Sequence, residues 1–190
     1  MTRRRTIDPA TIDACCLIDL MVSGHAEAIL RASDHAWHLP AAVQGEVKYL
    51  RQHDPAQAGA FVIVPAELTP IVTSGLLTPC QPDDPQEQAR FVHYAARFRS
   101  DGEAMCIALA ESRGWPVATD DRKAIRIAEM AGLTVISCPH LVKTWVDASL
   151  PDPATVSQVL TDLQTLAQFR PNPTMPEYQW WVDELAKSSP

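Results

Sequence analysis

The stretch DGEAMCIALAESRGWPVATDDRKAIRIAEMAGLTVIS (residues 101–137) decides the fold. Its first part spaces Met105, Ile107, Ala108 and Leu109 as the apolar stripe of a helix and stops at Gly114. WPVAT (115–119) is a short apolar segment with a strand's composition. DDRKAIRIAEMAG (120–132) returns to helical spacing through Ile125, Ile127, Ala128 and Ala131 and stops at Gly132, and LTVIS (133–137) is a second strand. Short strands alternating with such helices predict βα units and a largely parallel sheet.

Before it in the chain, TIDACCLI (11–18) and WHLP (37–40) read as further strands, with GLLTPC (75–80) a weaker fifth. PAAVQGEVKYLRQ (40–52) reads as one helix opened by Pro40, with Val43, Val47 and Leu50 on one face. PQEQARFVHYAARF (85–98) is an amphipathic helix. Residues 54–75 read two ways: FVIVP suits a strand, and AELTPIVTSG has helical character interrupted by Pro70. The expected class is α/β, with a central, mostly parallel sheet of four to five short strands flanked by helices. After about residue 150 the text changes. PDPATVSQVLTDLQTLAQF has helical spacing, RPNPTMP is a turn, and PEYQWWVDELAK is a short aromatic helix. We therefore divide the chain into a core domain (1–150) and a C-terminal helical extension (151–190) that packs on the core or on a partner.

At 190 residues the chain is long enough for one sizeable core. A composition of 46% hydrophobic and 21% charged residues is that of a globular protein and excludes disorder. No apolar run approaches the ~18 residues that span a bilayer. Arginines precede an apolar stretch at the start, but Asp8, Asp13 and Asp19 interrupt it and no small-residue cleavage site follows, so the expected location is cytoplasmic. Cys15, Cys16, Cys80, Cys106 and Cys138 lack CxxC spacing, and the six histidines show no HxH or HExxH pattern. A disulfide framework and a zinc site are thereby excluded, and the thiols are read as free and mostly buried. The net charge of −7 argues against a protein that coats nucleic acid. It is compatible with carboxylates that hold a cation, whose charge reverses the local sign.

Most acids on such a chain are solvated surface charges. Asp13 stands out because it sits at or inside the carboxyl end of an apolar strand, and ligands bind at the carboxyl ends of strands in open α/β sheets. Asp19, six residues on, is assigned to the following helix. Asp120 and Asp121 follow WPVAT at its carboxyl end, where one of them caps the next helix and the other is free for chemistry. Glu46 alone reads as a helix-surface charge, paired with Lys48 or a residue one turn away. Glu103 is explained by the dipole at a helix start, with Asp101 as the N-cap. Together these oxygen ligands suit Mg²⁺ or Mn²⁺ bridging to a phosphate.

The blocks TIDACCLIDL, LPAAVQGEV and residues 101–137, in that order, resemble PIN-domain proteins, including the VapC-type toxins of bacterial toxin–antitoxin pairs. The resemblance covers roughly residues 10–148, and LVKTW (141–145) is similar to the family's last core helix. It implies a PIN-like three-layer nuclease domain over 1–150 and a Mg²⁺- or Mn²⁺-dependent ribonuclease acting on RNA. It also implies a homodimer and, for a toxin, an antitoxin partner. Carried over, Asp13 is the first catalytic, metal-binding acid and Glu46 the second. Glu103 is the third, because it stands seven residues before Ala110 as the family's acid stands before its matching alanine. The Thr-x-Asp form makes Asp121 the fourth, whereas relatives with a leading Asp point to Asp120.

The chain departs from the family pattern in three places. Cys15 replaces the usual Ser, Thr or Asn, and a thiol is a poor ligand for hard Mg²⁺. The third acid is Glu rather than the commoner Asp, and the last 40 residues have no counterpart in minimal toxins. Cys15 and the long tail support an alternative, a noncatalytic PIN-like binding module acting through its C-terminal arm. A phosphatase-like enzyme with an aspartyl nucleophile is disfavoured, because the second Asp that this chemistry places two residues after the first is here Cys15. Arg122 and Lys123, beside the acids, are the RNA-binding candidates, ahead of Arg126 and the Arg3–Arg5 run. Trp180 and Trp181 are read as docking anchors rather than base-stacking platforms.

Overall fold

The computed structural model describes residues 8–187; the Arg3–Arg5 run lies outside them. The chain begins with β1 (Asp8–Ile12), α1 (Ala14–Val22), α2 (Ala26–Ala32), β2 (His35–Pro40) and α3 (Ala41–Glu46). Then come β3 (Tyr49–His53), β4 (Phe61–Pro65), α4 (Thr69–Thr73), β5 (Leu77–Cys80) and α5 (Pro85–Ala95). The decisive stretch supplies α6 (Asp101–Arg113), β6 (Val117–Ala118), α7 (Arg122–Met130) and β7 (Val135–Ile136). The chain closes with α8 (Cys138–Ser149), α9 (Pro153–Thr165) and α10 (Tyr178–Ala186).

Five strands form a parallel sheet in the order β5-β2-β1-β6-β7, flanked by helices. The protein is thus α/β with a central parallel sheet, as expected. Ala10, Thr11 and Ile12 of the central strand are fully buried, as both faces of a parallel sheet are when helices cover it. The weakly signalled β5 lies at the edge, where Pro79 removes no needed ladder donor. α6 packs with α3, α5 and α7, while α8 packs with α1 and α2. α6 is less one-sided than its stripe suggested, since Ala104 through Ala110 are all buried. It ends on Gly114 at φ 67°, a left-handed conformation that glycine adopts without a Cβ penalty.

Two boundaries differ from the sequence reading. TIDACCLI is a strand only as far as Ile12; Asp13 is the N-cap of α1 and accepts from the Cys16 amide at 2.7 Å. Cys15 and Cys16 are therefore helical, the first exposed and the second buried. The capping bond turns an apolar run that reads as strand into a helix, with Cys16, Leu17 and Leu20 packed inward. The predicted 40–52 helix stops at Glu46, and Tyr49–His53 is a strand paired antiparallel with Phe61–Pro65. Val47 leaves helical geometry at ψ 83°, two residues after Gly45, and the distant FVIVP strand supplies the ladder that completes the switch. A third, smaller difference is the cap of α6, which is Ser100 and not Asp101.

The C-terminal extension packs on the core. Val159, Leu160, Leu163 and Trp181 belong to the same buried cluster as the sheet. His53 on β3 bonds Asp162 at 2.7 Å, and His140 on α8 bonds Glu177 at 3.0 Å, tying α9 and the start of α10 to the domain. Among the described residues, no helix is long and apolar enough to cross a membrane.

Candidate functional site

The sheet register brings separate acids to one edge. Ile12 pairs with Ala118, and Ala118 with Ile136, so β1, β6 and β7 end level with one another. Asp13 leaves β1 there, its amide donating to the Ala118 carbonyl at 3.0 Å, and Thr119 donates to Ile136 at 3.1 Å. The Thr119 hydroxyl turns back and donates to Asp13 Oδ2. Asp13 is 1% exposed, with one oxygen on the Cys16 amide and the other on Thr119. Burial pushes its carboxyl up to about 7; the two hydrogen bonds oppose that, and the charges of Glu103 and Asp121 add to it.

Glu103 faces this carboxylate from the first turn of α6. Its carboxyl is raised by burial and then by Asp121 and Glu46, with Lys123 opposing. Asp121 is the N-cap of α7, where its Oδ1 accepts the Lys123 and Ala124 amides, both at 2.8 Å. Asp120 points elsewhere: both its oxygens accept the Cys138 amide, at 2.9 and 3.2 Å. Burial pushes its carboxyl up to about 7, and Asp13 and Glu177 add to this. Thus the two adjacent acids take different roles, Asp121 as the cap beside Glu103 and Asp120 as a tie between β6 and α8.

Glu46, at the end of α3, accepts the Ser100 hydroxyl at 2.8 and 2.9 Å and the Gly102 amide at 2.8 Å. A carboxylate on the free amides of a helix start is favoured by the helix dipole. Neither Lys48 nor a residue one turn away is its partner. A Cβ at position 102 would lie 2.5 Å from Glu46 Oε2, so a larger residue there has to displace the Glu46 carboxylate from the helix start.

Asp19, a helix residue outside the expected site, lies close to it. Its carboxyl is pushed up to about 8, by burial and then by Asp120 and Asp13, so it joins the acids from within α1. The signal was its spacing three residues after buried Cys16, readable only once the helix is known to start at Ala14. Cys15, exposed at the surface, still lies close enough to feel the same charges. Burial and the charges of Asp13, Asp19, Glu103 and Asp121 push its thiol up to about 12, so it stays protonated at neutral pH. Of the two RNA-binding candidates, Lys123 donates to the Arg97 carbonyl and lies 5.4 Å from the Phe98 ring, and Arg122 lines a cleft along α7.

A second acidic group, Asp83, Asp84 and Glu87, lies at the start of α5 and could hold a metal ion. Among the described residues it is the one trio whose ligand atoms all approach within 4.8 Å; the acids around Asp13 are more widely spaced. Its oxygens already have partners, however. Arg113 holds Glu87 at 2.6 and 2.8 Å and Asp83 at 3.3 Å, while Asp84 caps α5. A guanidinium already at the centre supplies the positive charge that a cation would bring, which makes this an ion-pair clasp.

Compared with family models, with curated proteins and with solved structures, the chain matches none.

Proposed function

We propose that this protein is a PIN-like, metal-dependent endoribonuclease hydrolysing RNA phosphodiesters, with the toxin of a toxin–antitoxin pair as its biological setting and a homodimer as its form. One observation carries the reading: a fully buried Asp13 has only neutral hydrogen-bond donors, the Cys16 amide and the Thr119 hydroxyl, while Glu103 and Asp121 act on it as like charges. Buried like charges are costly unless paired or metal-bound. Hard carboxylate oxygens suit Mg²⁺ or Mn²⁺, so Asp13, Glu103 and Asp121 are the residues that would hold the ion.

When bound, such an ion lowers the pKa of an attacking water and neutralises charge on the phosphoryl oxygens. The chain's own residues do the positioning. Thr119 and the Cys16 amide fix the Asp13 carboxylate. Glu46 clamps the start of α6 and so sets where Glu103 stands. The capping bonds of Asp121 engage its Oδ1 alone, so Oδ2 is the oxygen that would meet an ion. No side chain is needed as a nucleophile.

Asp13→Asn combined with Glu103→Gln is expected to abolish Mg²⁺- or Mn²⁺-dependent cleavage of RNA while the circular dichroism spectrum is unchanged. Cleavage at the wild-type rate rules out this site. The wider spacing of these acids, with Glu46 engaged by α6, favours a second reading, the noncatalytic binding module. Calorimetric titration with Mn²⁺ separates the two, since a module without a metal site gives no binding heat.

A further inference from the structure

Between α7 and the segment that follows α9 runs a cleft of about 390 Å³. Arg122 and Arg126 line one wall, one turn apart on α7, and Arg170 lines the other, brought from more than forty residues away. All three are exposed, and among the described residues none makes an ion pair or a side-chain hydrogen bond. Glu129 lines the same cleft without pairing with them. In a chain with a net charge of −7, three unpaired guanidinium groups in one cleft are a local reversal of sign. Planar guanidinium forks match phosphate oxygens.

The remaining lining fits a polynucleotide rather than a simple anion. The Asn172 carboxamide oxygen accepts the Thr174 amide and hydroxyl, both at 3.0 Å, so its NH₂ is the end left to donate. Phe169 is partly exposed in the cleft and braced against Trp181, at 5.6 Å between ring centres. An aromatic face beside a basic track is how single strands are held. The cleft reaches Asp120, which lies within electrostatic range of Asp13.

We propose that α7 and the C-terminal extension together form a binding track for single-stranded RNA, with Arg122, Arg126 and Arg170 on its phosphates and the strand leading to the acids at Asp13. The identity of the strand rests on the ribonuclease reading; the anion-binding character of the track rests on the arginines. The extension is then part of the substrate surface.

The test uses the full chain, a short fluorescein-labelled oligouridylate and EDTA, with fluorescence anisotropy over a salt series. Arg126→Gln with Arg170→Gln is expected to weaken binding about tenfold or more. It should also lower the slope of log K against log salt by roughly 1.4, about 0.7 for each lost phosphate contact on a single strand. Arg31→Gln with Lys187→Gln removes the same charge elsewhere and should leave the slope unchanged. Equal affinity and slope in the cleft variant, or no binding by the wild type, overturns the track. Wild-type cleavage combined with unaltered binding by the cleft variant removes the track and leaves the ribonuclease. Arginine-dependent binding by a chain that never cleaves RNA supports the track and removes the ribonuclease.

Discussion

At Asp13 the chain buries a carboxylate on two donors, the Cys16 amide and the Thr119 hydroxyl, and surrounds it with Glu103, Asp121, Asp19 and Asp120. Removing that charge while keeping the shape relieves the repulsion. An asparagine keeps its oxygen on Cys16 and offers its NH₂ to the Thr119 hydroxyl, which can rotate to accept. Asp13→Asn is therefore expected to raise Tm by several degrees at about pH 8 in EDTA, given roughly 2–4 °C per kcal/mol for a chain of this size. Excess Mn²⁺ should reverse the order, because binding to the folded state stabilises the wild type alone. Differential scanning fluorimetry reads both, and a variant less stable than the wild type in EDTA would show that the carboxylate is fully compensated by its hydrogen bonds. Asp13 was legible as a strand-end acid; its capping role, and the nearness of Asp19, were not.

At the scale of elements, the clasp between α5 and α6 has a definite pH signature. Arg113, through its hydrogen bonds to Glu87, holds the Glu87 carboxyl down at about 2 against an ordinary 4.5. A depressed folded value contributes stability that is present above the unfolded value and lost as pH falls through the folded one. This clasp therefore contributes above about pH 4.5 and is lost as pH falls toward about 2. Glu87→Gln should flatten urea-derived stability across that window relative to the wild type. Arg113→Met is expected to cost about 3–5 kcal/mol at neutral pH, because it strands a buried carboxylate. Local signals served α5, α6 and α7 well, since caps such as Asp84 and Gly114 act within a few residues. They misjudged 40–52, where helical spacing through Val43, Val47 and Leu50 competes with a strand partner at Phe61–Pro65.

Over the whole molecule, the extension behaves as part of one core. Trp181 is 1% exposed and packs with Phe169 in the cluster that includes the sheet. Trp181→Ala is expected to cost about 3–5 kcal/mol. A single urea transition should move to a lower midpoint with its slope retained; two separated transitions would instead mark the extension as an independent unit.

The α/β class, the parallel sheet, the helices from Asp101 to Met130 and the placing of Asp120 after a strand were all legible locally, because periodicity, glycine stops and capping residues act over one or two turns. Which acids meet depends on contacts between distant elements. The register of β1 on β6 brings Asp13 to Thr119, the α3–α6 contact ties Glu46 to Gly102, and the returning chain carries Arg170 to Arg126. Those contacts join residues tens of positions apart, and their energies depend on burial and on charges supplied by other elements, which no local window contains.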